Sequence, residues 1–165
     1  MPEGPQDDPS VLVARLYDEH GAALFRYAAI LLGDPAAAED AVHQVFAALL
    51  RTRKPAGGIR DDAHYLRRAV RNECYLMLRR RVIRAEATVA LESVEDARGQ
   101  RDPGERVALE RAIGALSAEQ REVIHLHVFE GLTFREIASA TEESINTIAG
   151  RYRYALGRLR EVLNR

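Results

Sequence analysis

Thr133–Leu163 reads TFREIASATEESINTIAGRYRYALGRLREVL, and the fold follows from this stretch. Thr133 with Glu136 three places on is a capping-box start, in which each side chain satisfies a backbone N–H that the first helical turn leaves unpartnered. Phe134, Ile137 and Ala138 give that short helix one apolar edge. Thr141-Glu142-Glu143-Ser144 breaks the apolar pattern, and Ser144 is a good N-cap for a second helix. From there Ile145, Ile148, Ala149, Tyr152, Leu156, Leu159 and Leu163 recur at helical spacing, with Asn146, Gly150, Arg151, Arg153, Tyr154, Arg158 and Arg160 opposite them. The pattern predicts a helix-turn-helix whose second helix has an apolar back and an Arg, Asn and Tyr front, a surface that can enter a major groove. The same residues also admit a plainer reading, an amphipathic terminal helix with a solvated Arg face.

Charge placement supports the first reading. The 165-residue chain has a net charge of only −1, yet seven Arg stand between Arg67 and Arg84 against Glu73 alone. Five more stand between Ser144 and Arg165 against Glu161. Two basic segments in an otherwise acidic chain point to two phosphate-facing surfaces. Hydrophobic residues make up 47% of the chain, enough to bury cores, and no apolar run approaches membrane-spanning length. The opening MPEGPQDDPS lacks the basic and apolar segments of a secretory signal, so residues 1–10 are expected to be a disordered tail and the protein cytoplasmic. Cys74 is the single cysteine, which excludes an internal disulfide; among apolar neighbours it reads as a small buried hydrophobe.

Upstream of the quoted stretch the periodic segments all read as helices. A first helix is expected from Val11 to Leu32, capped by Ser10, buried through Leu12, Leu16, Leu24, Tyr27, Ala28 and Leu31, and stopped by Gly33-Asp34-Pro35. A second runs from about Ala36 to Arg51 with Ala38, Ala41, Val42, Val45, Phe46, Leu49 and Leu50 on its apolar side. Arg53 to Gly58 forms a loop, and Asp61 or Asp62 caps a third helix reaching about Arg84. On that helix Tyr65, Arg68, Asn72, Tyr75 and Arg79 fall on one face with Arg67 and Arg71 beside it, a combination able to bind phosphates, read a base edge and stack an unpaired base. Residues 85–103 are charged and small, helical at their start, and read as a linker. Two helices then lead to the helix-turn-helix: Glu105–Leu116 presenting Leu109, Ile113 and Leu116, and Ala118–Phe129, capped by Ser117, presenting Val123, Ile124 and Val128. The expected fold is all-α: a helical domain over 11–84, a flexible linker, and a second domain over 104–165 ending in the helix-turn-helix.

Catalytic constellations are missing from the pattern. His125 and His127 are two apart and diverge on a helix, while His20, His43 and His64 lack Cys or acidic partners at zinc-ligand spacing. No Gly-rich loop follows a strand, and Glu39-Asp40 and Glu142-Glu143 are adjacent pairs that splay apart. No metal, no cofactor and no enzymatic activity are expected.

At this point the residues resemble a known family. LYDEHGAALFRYAAILLGD, AEDAVHQVF, HYLRRAVRN, LSAEQREVIHLHVFEGLTFREIA and TIAGRYRYALGRLRE, in this order from about Leu12 to Leu163, are similar to the extracytoplasmic-function (ECF) sigma factors of bacterial RNA polymerase. The resemblance implies that Asp40, Val42, His43, Gln44 and Phe46 dock on the clamp helices of the polymerase's largest subunit, with a further contact to its flap. It implies that the loop from Arg53 to Asp62 captures a flipped base, and that Tyr65, Arg67, Arg68, Arg71, Asn72, Tyr75 and Arg79 hold the melted minus-ten element. Ser144, Asn146, Thr147, Gly150, Arg151, Arg153, Tyr154 and Arg158 would meet the minus-thirty-five element. An anti-sigma protein is implied as a further partner. Several positions depart from the family pattern: His43 and Gln44 replace Gln and Glu, Leu76 replaces an acidic residue, and Ala149 and Gly150 replace a basic residue and Ser. Glu142 stands where the turn frequently has Gly, so that either the turn takes another form or Glu142 bears a strained positive φ. Two other functions share the pattern: a sigma mimic that sequesters an anti-sigma protein, and a helix-turn-helix repressor.

Overall fold

The structure, a computed structural model, describes residues 8–52, 62–88 and 105–163. The described residues are helical, with no strand among them: α1 (Pro9–Leu32), α2 (Pro35–Thr52), α3 (Asp62–Thr88), α4 (Glu105–Gly114), α5 (Ala118–Ile124), a π-helical turn (His125–Phe129), α6 (Phe134–Thr141) and α7 (Ile145–Leu163). Of the expected tail over 1–10, residues 1–7 lie outside the described residues, while Pro9 and Ser10 already belong to α1, where Asp8 and Pro9 start the helix. The loop before Asp62 and most of the expected linker also lie outside the described residues. Two compact units divide between Met77 and Leu78, inside α3. α3 itself continues to Thr88, past its expected end at about Arg84. From Arg79 to Ala85 every residue is exposed, so no buried side chain ties those turns into the first core.

In the first unit, Asp8 rather than Ser10 caps α1. Its carboxylate accepts the Ser10 N–H at 3.0 Å, and Pro9 fills the first helical position, where a missing N–H costs nothing. Gly33 ends α1 at φ 65 and donates its N–H to the Ala29 carbonyl at 2.9 Å. Asp34 then accepts from the N–H groups of Ala36 and Ala37 at 3.0 and 3.3 Å, so the same short link stops one helix and starts the next. Leu16, Tyr27, Ala28 and Leu31 of α1, Ala38, Ala41, Val42 and Phe46 of α2, and Leu66, Val70 and Cys74 of α3 are buried. Leu50, expected inside, is exposed near the end of α2.

The second unit is built on caps. Ser117 with Gln120 and Thr133 with Glu136 both form complete capping boxes. Hydrogen bonds from the Thr133 hydroxyl and then its backbone N–H hold the Glu136 carboxyl below its ordinary value. Between these caps lies a departure from the expected Ala118–Phe129 α-helix. The Glu130 N–H donates to the His125 carbonyl at 3.1 Å, five residues back, which makes a π turn. One inserted residue rotates the rest of the helix by about 100°. Leu126 therefore goes inside, while Val128 is 55% and Phe129 68% exposed. On α7, Ile148 and Ala155 are buried, and Tyr152, Leu156 and Leu159 pack against Leu116, Ile124 and Ala155. Ile145, expected inside, is exposed in the first turn.

The turn of the helix-turn-helix keeps its left-handed form without glycine. Glu142 ends α6 at φ 59 and ψ 34 and donates its N–H to the Ala138 carbonyl; the Glu143 N–H reaches the same carbonyl at 3.1 Å. A left-handed conformation costs an L-residue with a side chain about 1–2 kcal/mol, of which glycine's greater unfolded-state freedom returns part. Glu142→Gly is expected to raise the stability of the second unit by about 1 kcal/mol. Thermal unfolding checks it; an unchanged or lower midpoint would show that the Glu142 side chain offsets its own strain.

Candidate nucleic-acid interface

Helical geometry places the buried residues of α3, Leu66, Val70 and Cys74, on one stripe. Arg68 and Asn72 stand opposite it and are exposed, with Tyr65 and Tyr75 on the two flanks. Arg79 continues this outward row beyond the division of the units. Arg67 and Arg71 are half-buried at the edge of the stripe. The Arg71 guanidinium lies over the Tyr75 ring, 4.7 Å from its centroid, so one face of the tyrosine is already covered and the pair presents itself as a single stacked cation and ring. Tyr65 turns toward α2, where with Gln44, Leu49, Arg51, Thr52 and Glu73 it lines an open hollow of about 250 Å³. An aromatic ring at the mouth of such a hollow offers a wall on which a planar group can rest.

α2 divides the residues expected to meet polymerase. Asp40, His43 and Gln44 are exposed, whereas Val42 and Phe46 are buried and belong to the core of the first unit. The spacing explains the difference: Val42 and Phe46 are four apart, on the stripe that faces α1. Their part is to seat the helix, with the Phe46 ring edge-on to Tyr17 at 5.1 Å. Tyr17 also brings its hydroxyl to 3.4 Å from His43 Nε2. Both side chains, with Asp18, Phe25 and Glu39, line a second open hollow of about 520 Å³ between α1 and α2. Tyr17 and Phe25 carry no distinguishing signal in the sequence, where they look like ordinary members of an amphipathic helix.

α7 is divided in the same way. Asn146, Arg153 and Tyr154 are exposed on the side away from Ile148 and Ala155. Gly150 and Gly157 lie among them, and a Cβ at either would meet nothing within 4 Å. Ser144 starts the helix: its hydroxyl accepts the Thr147 N–H at 3.0 Å and lies 2.8 Å from the Thr147 hydroxyl, so these two residues serve each other as well as the surface. Arg158 is exposed and 3.3 Å from Glu161, a pairing that water and salt weaken. Arg151 differs from its neighbours. It is half-buried, and its guanidinium donates to Glu143 Oε1 at 3.0 Å.

Aromatic packing holds α7 in place. The His127 ring lies 4.7 Å from Phe134 and 4.9 Å from Tyr152, and its Nδ1 is 2.7 Å from the Leu132 carbonyl oxygen, which fixes the proton on that nitrogen. His125 pairs instead with Glu130, at 3.1 Å. The two histidines thus have separate partners, and among the described residues no three metal-ligating side chains converge.

Comparison with known proteins finds two families along the chain. The sigma-70 region 2 family matches residues 16–82, and the sigma-70 region 4 family matches residues 106–159. The chain is 34% identical over 166 residues to the ECF RNA polymerase sigma factor SigL of Mycobacterium tuberculosis, in each of three strains, covering 93% of this chain and 90% of the relative. It is also similar to the sigma factor RpoE of Bartonella quintana, solved in complex with the anti-sigma factor NepR, with a TM-score of 0.67 and 26% identity over 92% of this chain and 96% of that one. Two sigma-70 regions in order along one chain, with a relative aligned over nearly all of it, make this protein a member of the ECF group of RNA polymerase sigma factors.

Proposed function

We propose that this sigma factor grips its promoter with two separate helices while α2 holds it on core polymerase. The exposed Asp40, His43 and Gln44 meet the polymerase clamp. The outward row of α3, from Tyr65 through Arg68 and Asn72 to Tyr75 and Arg79, binds the melted minus-ten element. Asn146, Arg153, Tyr154 and Arg158 of α7 meet the minus-thirty-five element. The observation that carries this reading is the α3 row, where arginine, asparagine and tyrosine stand opposite a fully buried stripe. Arg68 and Asn72 in that row are exposed on the side of α3 away from Leu66, Val70 and Cys74. The chain is a specificity subunit working in the cytoplasm, and the polymerase supplies the chemistry. Each DNA surface can be weak alone, because attachment to one enzyme raises the effective concentration of the second contact once the first is made. Unpaired bases recover at Tyr65 and Tyr75 part of the stacking they lose on strand separation, a few kcal/mol. The RpoE relative was solved with an anti-sigma factor, and by that likeness an anti-sigma protein is the resting-state partner of this chain.

The test is run-off transcription on genomic promoter fragments with purified core polymerase. The wild-type chain is expected to give discrete transcripts. Replacing Arg68 and Asn72 together with alanine is expected to lower promoter opening by about tenfold or more, the loss of one good base contact and one phosphate contact. Core association should stay within about twofold, since neither residue lies on α2. Collapse of core association would show that this face of α3 has been misassigned. Core binding without any transcript would favour a sigma mimic that only sequesters an anti-sigma protein. The bare Gly150 position on the outward face of α7 is the one feature that favours that second reading.

A further inference from the structure

We propose that Arg151 is a positioning residue of the DNA-reading helix and not one of its phosphate ligands: paired with Glu143, its guanidinium latches α7 to the turn that precedes it. This rests on the reading of α7 as the minus-thirty-five helix. Arg151 and Glu143 are eight residues apart and belong to different parts of the motif, and they meet at 3.0 Å with side chains only 24% and 34% exposed. Such a pair is shielded from solvent far better than the exposed Arg158–Glu161 pair further along the helix. The Arg151 side chain also leaves the helix on the flank of the buried stripe, away from the outward face that Asn146, Gly150 and Arg153 share.

Two neighbouring features make the latch intelligible. The left-handed Glu142 turns the chain so that the Glu143 N–H closes on the Ala138 carbonyl, which fixes the backbone from which the Glu143 carboxylate reaches Arg151. The same guanidinium acts on Glu119 in the first turn of α5. Burial alone would raise the Glu119 carboxyl, yet hydrogen bonds from its own backbone N–H and from Ser117, together with the charges of Arg151 and Arg121, bring it below its ordinary value. One cation therefore faces acidic groups from the turn and from α5 while rooted in α7. Helix angle matters to groove readout because side chains that reach base edges leave little tolerance for a tilted axis. A group that sets this angle controls affinity without touching DNA.

Charge-removing variants of the full-length chain, assembled with core polymerase, test this on one duplex that the wild-type holoenzyme selects from a random-sequence pool. Glu143→Gln and Arg151→Gln are each expected to weaken binding by roughly two- to fivefold, the upper part of the range for one solvent-accessible ion pair. The double variant should be no weaker than either alone, and the dependence of log K on log salt should keep its slope. Arg153→Ala, on the outward face, should instead flatten that slope by about 0.9. The inference is overturned if Glu143→Gln leaves binding unchanged or strengthens it, as removing an acidic competitor from a phosphate ligand would. It is equally overturned if Arg151→Gln flattens the slope by about 0.9, as loss of a phosphate contact requires. Failure of the underlying reading looks different: the wild-type chain selects no duplex, or Asn146→Ala and Arg153→Ala leave binding untouched.

Discussion

Ile148→Ala is expected to destabilise the second unit by about 2–5 kcal/mol, the usual cost of removing a large aliphatic side chain from a packed core. Ile148 is fully buried on the inner side of α7. A unit of this size buries a modest share of its surface and has little stability in reserve. Its unfolding midpoint should fall by about 10 °C or more, since each kcal/mol moves a small domain by roughly 4–8 °C. Minus-thirty-five binding should be lost at physiological temperature. Core association and minus-ten contacts should persist, because Ile148 belongs to the second compact unit and α1, α2 and the first half of α3 to the first. Hydrogen exchange resolved along the chain checks both halves together. Equal loss of protection in α1 and α2 would contradict the expectation.

The second large effect concerns salt. Arg68 and Arg79 on α3 and Arg153 and Arg158 on α7 are exposed arginines on the proposed DNA surfaces. With two contacts to single-stranded and two to duplex phosphates, they contribute about −3 to the slope of log K against log salt. Raising salt from 50 to 200 mM would then cost the chain's own share of promoter affinity roughly 80-fold. Polymerase makes phosphate contacts of its own, so the quantity to measure is a difference. The wild-type holoenzyme is compared with one in which all four arginines are replaced by glutamine. A difference in slope smaller than about one would mean that these residues are solvated charges and not phosphate ligands.

Much of the fold was legible in the sequence because its signals are short-range. The capping boxes at Ser117 and Thr133, the Gly33-Asp34-Pro35 link and the Ser144 cap each depend on side chains within three residues of the backbone they serve. Of the two forms left open for the turn at Glu142, the structure takes the one with positive φ. The π turn left no comparable sign. His125–Phe129 contains no residue that demands a five-residue hydrogen bond, so Val128 read as core and is exposed. Val42 and Phe46 show the limit of carrying roles over from a resemblance. They belong to a motif associated with polymerase docking, yet within that motif they are the residues that bury themselves. Arg151 eluded sequence reading for another reason. Its partner lies eight residues back across a turn, outside the three- and four-residue spacings by which helical ion pairs are recognised.

Gly150 and Gly157 carry one more consequence. Both sit on the outward face of α7 with open space where a side chain would begin. A Cβ added at either position meets no neighbour, and replacing glycine removes its cost to helix stability. On the proposed reading of α7, single substitutions at these two positions are expected to change the preferred DNA sequence while the fold beneath stays as it is.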